Sequence, residues 1–122
     1  MPAKKLPARK LKEKPFNSGK WTKARFFGFL RSALRRASVK WAPIQQAKKD
    51  ARRQYVGENR RQKFEYQCSG CHRWFKGSET QVDHIEPCGA LQDFEDIEAF
   101  VRRLFCEADG LRVLCLNCHK MR

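Results

Sequence analysis

Two Cys-x-x-Cys pairs, Cys68-Ser69-Gly70-Cys71 and Cys115-Leu116-Asn117-Cys118, constrain this chain more than any other feature. Two intervening residues let both sulfurs of a pair face one point while the backbone turns tightly, and Gly70 eases the first turn. Four thiolates match the tetrahedral preference of zinc. The pairs are separated by 43 residues. A shared zinc would clip together the two ends of residues 64–122 and replace core that this segment lacks. A redox pair or an iron–sulfur cluster would draw on the same residue type. His72 and His119, each directly after a pair, are alternative ligands. The most economical reading puts Cys68, Cys71, Cys115 and Cys118 on one structural zinc. Cys88 and Cys106 are left over and are read as apolar packing.

The compartment supports metal over disulfides. The basic start of the chain, Met1 to Pro15, has no apolar stretch after it. Neither a secretory signal nor a membrane span is expected, and the expected location is the cytoplasm. A length of 122 residues suggests one compact domain with an attached arm.

The net charge of +14 is unevenly placed. Residues 1–63 hold 20 Lys/Arg against 3 Asp/Glu, whereas residues 64–122 hold 7 against 10. A basic half joined to a mildly acidic one implies a polyanionic partner, with nucleic acid the first candidate. The bland alternative is a solvated, solubilising surface.

Residues 1–20 alternate Lys/Arg with Pro, Ala and Leu and read as a disordered or extended basic arm. Residues 21–63 read as a basic helical segment. Thr22 caps a helix to about Ser38, with Phe26, Phe29, Leu30 and Leu34 as its apolar face. Arg25, Arg31, Arg35 and Arg36 lie mostly elsewhere on the wheel. A second helix is expected from Ile44 to Tyr55, carrying Lys48, Lys49, Arg52 and Arg53; Arg60 and Arg61 follow a Gly57–Asn59 turn. These ten cations are the candidate nucleic-acid contacts. From Phe64 the texture changes to short extended pieces at Phe64–Gln67, from Trp74, at Gln81–Ile85 and at Leu111–Leu114. A helix is expected from Asp93 or Phe94 to about Ala108, with Phe94, Ile97, Val101, Leu104 and Phe105 inward. Trp21, Trp41 and Trp74 are read as buried rather than base-stacking.

Between the cysteine pairs lies Val82-Asp83-His84-Ile85-Glu86-Pro87, and the chain closes on Leu114-Cys115-Leu116-Asn117-Cys118-His119-Lys120. In these residues the sequence resembles the HNH endonucleases, over about residues 64–122. The resemblance implies a small zinc-stapled ββα-metal module there, so the expected fold class is α+β. It further implies His84 as general base, Asp83 and His119 as ligands of a catalytic Mg²⁺ or Mn²⁺, and products bearing a 5′-phosphate and a 3′-hydroxyl. A neutral imidazole can take a proton from water near neutral pH, and a divalent cation can neutralise phosphoryl and departing oxygens. Two departures stand out. Gly110 occupies the position where the family carries its middle Asn, and the closing helix is about one turn long. The 93–108 helix is an insertion relative to the minimal motif.

The reading is therefore a metal-dependent DNA endonuclease of phage or mobile-element type, acting in a bacterial or phage-infected cytoplasm. The basic half would supply affinity through phosphate contacts. DNA over RNA rests on the resemblance, and the charge alone does not separate them. The alternatives are a zinc-stapled nucleic-acid-binding protein that never cuts, and an RNA-associated structural protein.

Overall fold

The computed structural model describes residues 13–122, so most of the expected basic arm lies outside the described residues. Its last part is not extended. Phe16 and Trp21 form a bridge across a tight turn, in which Asn17, Ser18 and Gly19 have positive φ. The Phe16 ring stacks on Phe26 at 4.5 Å.

The fold is α+β, with four α-helices and two small sheets among the described residues. Helix α1, Lys23–Ser38, begins where the Thr22 hydroxyl accepts the Arg25 backbone N–H, as its capping position predicts. Of the apolar face read in the sequence, Phe26, Leu30 and Leu34 pack against the main core, whereas Phe27 is buried in place of Phe29. Phe27 is 1% exposed while Phe29 is 51% exposed. Phe27 and Ser38 are buried on α1, and Phe26, Leu30 and Leu34 are half-buried beside them against the core. Three neighbouring phenylalanine-bearing positions make the wheel ambiguous, and only the partner surface decides between them.

That partner is the inserted segment. Asp93 and Asp96 form a capping box, and a single 3-10 turn at Phe94–Asp96 leads into α3, Ile97–Leu104. Phe100 and Leu104, buried on α3, join Phe27, Cys88 and Leu91 in the main core. The insertion thus supplies the surface against which α1 folds. Its helix is shorter than expected at the far end, where Ala108–Gly110 forms a separate 3-10 turn.

Helix α2, Ala42–Asp50, starts earlier than expected because Pro43 sits in its first turn, where a missing N–H costs nothing. It also stops earlier. Instead of helix to Tyr55, Arg52–Gln54 forms strand β1, paired antiparallel with β2, Phe64–Gln67; Gln54 faces Phe64 across the ladder. Helix propensity is a weak prior, and pairing overrides it here. The side chains agree with the strand. Arg52 lies 4.0 Å from the Phe64 ring centroid and Arg53 3.8 Å from that of Trp74. Arg53 also donates to Glu65 at 2.6 Å. Strand β3, Trp74–Phe75, completes this sheet.

The second sheet pairs β4, Thr80–His84, antiparallel with β5, Leu111–Cys115, and α4, Leu116–Lys120, follows directly. Residues 85–110, which carry α3, connect the two strands. No helix among the described residues is long and apolar enough to cross a membrane.

The revised helix face has a direct check. Phe27→Ala should lower the unfolding free energy by about 3–5 kcal/mol in a denaturant titration. Phe29→Ala should stay within about 1 kcal/mol. Equal costs would restore the face read from the sequence.

Candidate metal centre and active-site cleft

The two cysteine pairs meet through backbone pairing. Strand β2 runs into the first pair, whose Ser69 N–H donates to the Val113 carbonyl of β5 at 2.8 Å, and β5 runs into the second pair. The ligand sulfurs of Cys68, Cys71, Cys115 and Cys118 all lie within 4.8 Å of one another. Cys71 and Cys115 are 4.0 Å apart. A tetrahedron of Zn–S bonds ~2.3 Å long has edges of about 3.8 Å, so the cluster is sized for such an ion. It is too open for a disulfide, whose S–S bond is about 2.05 Å. The four cysteines can therefore hold a structural metal ion such as zinc.

Local hydrogen bonding favours the thiolate of Cys68. The backbone N–H groups of Gly70 and Cys71 point at the Cys68 sulfur at 3.3 and 3.5 Å, and that of Cys118 points at Cys115 at 3.4 Å. Burial alone would push the Cys68 thiol up. Donation from the Cys115, Cys71 and Gly70 backbones outweighs it and brings the thiol down to about 6. Hydrogen bonding with Cys115 and Cys68 pushes Cys118 the other way, up to about 12. Four sulfurs so close cannot all carry charge without a cation. A Cβ at Gly70 would press on the Cys118 sulfur at 3.0 Å, so the sulfur would have to shift. His72 ends the first turn at φ 63°, a conformation in which an L side chain is strained.

The two other cysteines match the packing role. Cys88 is buried in the main core and Cys106 is half-buried; burial raises both thiols.

Beside β4 and β5 lies a cleft of about 700 Å³ that Asp83 and His84 both line. Adjacent strand residues point to opposite faces, but His84 is the last residue of β4 and the chain bends immediately after it. Asp83 is 3% exposed. Arg112, its cross-strand neighbour, donates to one carboxylate oxygen at 3.2 Å, and Arg122 pairs with the other. Such partners offset the cost of burying the charge. His119 is half-buried on α4. Among the described residues, Asp83, His84 and His119 do not form a three-residue metal cluster; the four cysteines alone do so.

The His84 ring is oriented by the insertion. Its Nε2 lies 2.9 Å from the Leu104 carbonyl, an oxygen that can only accept, so Nε2 carries the hydrogen. In the neutral ring this leaves Nδ1 as proton acceptor. Leu104 is the last residue of α3, where carbonyls have no partner within the helix. The neighbouring Cys106 carbonyl accepts from the Trp41 indole at 2.7 Å. At Gly110, where the resemblance expects Asn, the backbone carbonyl accepts the Ile85 N–H at 3.0 Å and closes the hairpin next to His84. A Cβ at Gly110 would meet the Cys106 sulfur at 3.0 Å.

The ten candidate nucleic-acid contacts fall into distinct settings. Arg35 lines the cleft. Arg36, Lys49, Arg60 and Arg61 are exposed. Arg25 stacks over Trp21 and Lys48 over Tyr66, while Arg31 reaches the Leu91 carbonyl. Arg52 and Arg53 are held on aromatic rings, as described above. The three tryptophans are half-buried rather than fully buried. Residues the sequence did not single out are Arg112, Arg122 and the Leu104 carbonyl. Strand pairing with a known register would have exposed Arg112, but a 26-residue insertion between the strands hides that register.

Three measurements test the metal centre and its first turn. Reduced protein should contain one zinc per chain by elemental analysis, and a value near zero would refute the site. His72→Gly should raise the unfolding free energy by about 0.5–1 kcal/mol by relieving the left-handed strain, whereas Gly70→Ala should weaken metal retention against a chelator.

Compared with known proteins, the chain matches no family model, no curated protein and no solved structure, so the chemistry of the site rests on its own residues.

Proposed function

We propose that this protein is a metal-dependent endonuclease of the HNH class that hydrolyses phosphodiester bonds in DNA. The observation carrying this reading is the His84 ring, fixed by the Leu104 carbonyl so that Nδ1 is its acceptor, in a cleft that also holds Asp83 and three arginines. As a water oxygen attacks phosphorus, its proton passes to His84 Nδ1 and the P–O3′ bond breaks; the P–O5′ bond stays intact and the departing 3′-oxygen takes a proton from solvent, giving a 5′-phosphate and a 3′-hydroxyl. The surplus positive charge of the cleft favours the anionic phosphate, whose charge otherwise repels an incoming nucleophile. A Mg²⁺ or Mn²⁺ ion held by Asp83 and His119 would neutralise the phosphoryl and departing oxygens. Such an ion would compete with Arg122 for the Asp83 carboxylate. The zinc centre plays no chemical part; it holds β5 and α4, and hence Arg112 and His119, in place.

A second reading is favoured by that same carboxylate. Both Asp83 oxygens are engaged by guanidinium groups, which suits a zinc-stapled protein that binds nucleic acid without cutting it.

Supercoiled plasmid separates the two. The protein should nick it only with Mg²⁺ or Mn²⁺ added, and His84→Ala should lose at least about 100-fold in rate, the usual contribution of a general base. Salt-dependent DNA binding with no nicking under either cation would select the non-catalytic reading.

A further inference from the structure

The basic N-terminal half reaches into the cleft at one residue. The core-facing side of α1 packs on Phe100 and Leu104 of α3, and Leu104 also holds His84. The last turn of α1 is therefore fixed relative to the candidate general base. Arg35 lies in that turn, its guanidinium 6.0 Å from the Phe100 ring centroid, and lines the cleft with Asp83 and His84. Arg112 and Arg122, the other two arginines of the cleft, are committed to Asp83. Among the described residues no carboxylate pairs with Arg35. One carboxylate against three guanidinium groups, one of them from the basic half, leaves the cleft with surplus positive charge.

We propose that Arg35 is a positioning residue that grips a phosphate oxygen of the nucleic-acid strand in this cleft, and so ties the basic half to the cut site. This rests on the reading of the cleft as a phosphodiester site. Packing on Phe100 pre-organises the planar guanidinium, so less freedom is lost when it takes a phosphate. A residue at the end of a basic helix could instead serve only the helix dipole. That role would alter thermal stability and leave phosphate binding alone.

The test uses the full chain, a DNA duplex, and Arg35→Gln, Arg35→Lys and Lys40→Gln variants. Lys40 is exposed just beyond α1 and outside the cleft. Binding is titrated against salt without added Mg²⁺ or Mn²⁺, and nicking is measured with them. Arg35→Gln should reduce the slope of log affinity against log salt by about 0.9, the loss of one phosphate contact on B-DNA. It should raise KM about tenfold, as expected for a lost charge-assisted hydrogen bond. Arg35→Lys should keep the slope but recover only part of the KM, because a point charge replaces a planar fork. Lys40→Gln should change KM less than twofold. An unchanged slope in Arg35→Gln, or an equal effect of Lys40→Gln, would overturn the proposal. The metal-free titration reads Arg35 even if the wild-type protein never nicks. Conversely, normal nicking by Arg35→Gln would remove this role and leave the nuclease reading standing.

Discussion

Closure of residues 68–118 at four cysteine sulfurs is the constraint on which the rest of this molecule depends. The sulfurs lie within 4.8 Å of one another, and that proximity brings β2, β5 and α4 to one point. A metal ion there would supply folding free energy that a small, charged segment cannot obtain from apolar burial. It also explains an economy in the design. Neither sheet has more than three strands, and sheets this small are marginal unless packed or tied.

A second core does different work. Phe27 on α1 meets Phe100 and Leu104 on α3, so the inserted helix is a structural platform. The end of that helix contributes a carbonyl to His84 and another to Trp41. One short segment thus joins the N-terminal helices to the cleft. Helix termini commonly leave carbonyls without partners, and here the His84 ring N–H satisfies that of Leu104, while the Trp41 indole takes the Cys106 carbonyl two residues beyond the helix. The Gly110 carbonyl accepts the Ile85 N–H beside His84, and a Cβ at Gly110 would lie 3.0 Å from the Cys106 sulfur.

The charge distribution also reads differently in three dimensions. In the sequence it divides into a basic and an acidic half. In the fold, several basic residues are committed to aromatic rings or carboxylates, and Arg52 and Arg53 sit on the first sheet rather than on a helix. Around Asp83 the positive charge comes from both halves. A cleft of this kind focuses an anion more effectively than dispersed surface charge, because low-dielectric walls concentrate the field.

The sequence by itself determined the cysteine cluster, the α+β class, the start of α1 and most short strands. These depend on local rules: ligand spacing, capping and alternation act within a few residues. It also placed Asp83 and His84 together at the end of a strand. Only the tertiary structure decided that Phe27 is buried on α1 in place of Phe29, that Arg52–Gln54 is a strand, that Arg112 faces Asp83, and that Leu104 orients His84. Each of these joins residues far apart in the chain. Such contacts are settled by which surfaces are available to bury and which polar groups still need partners, and no short window of sequence contains that information.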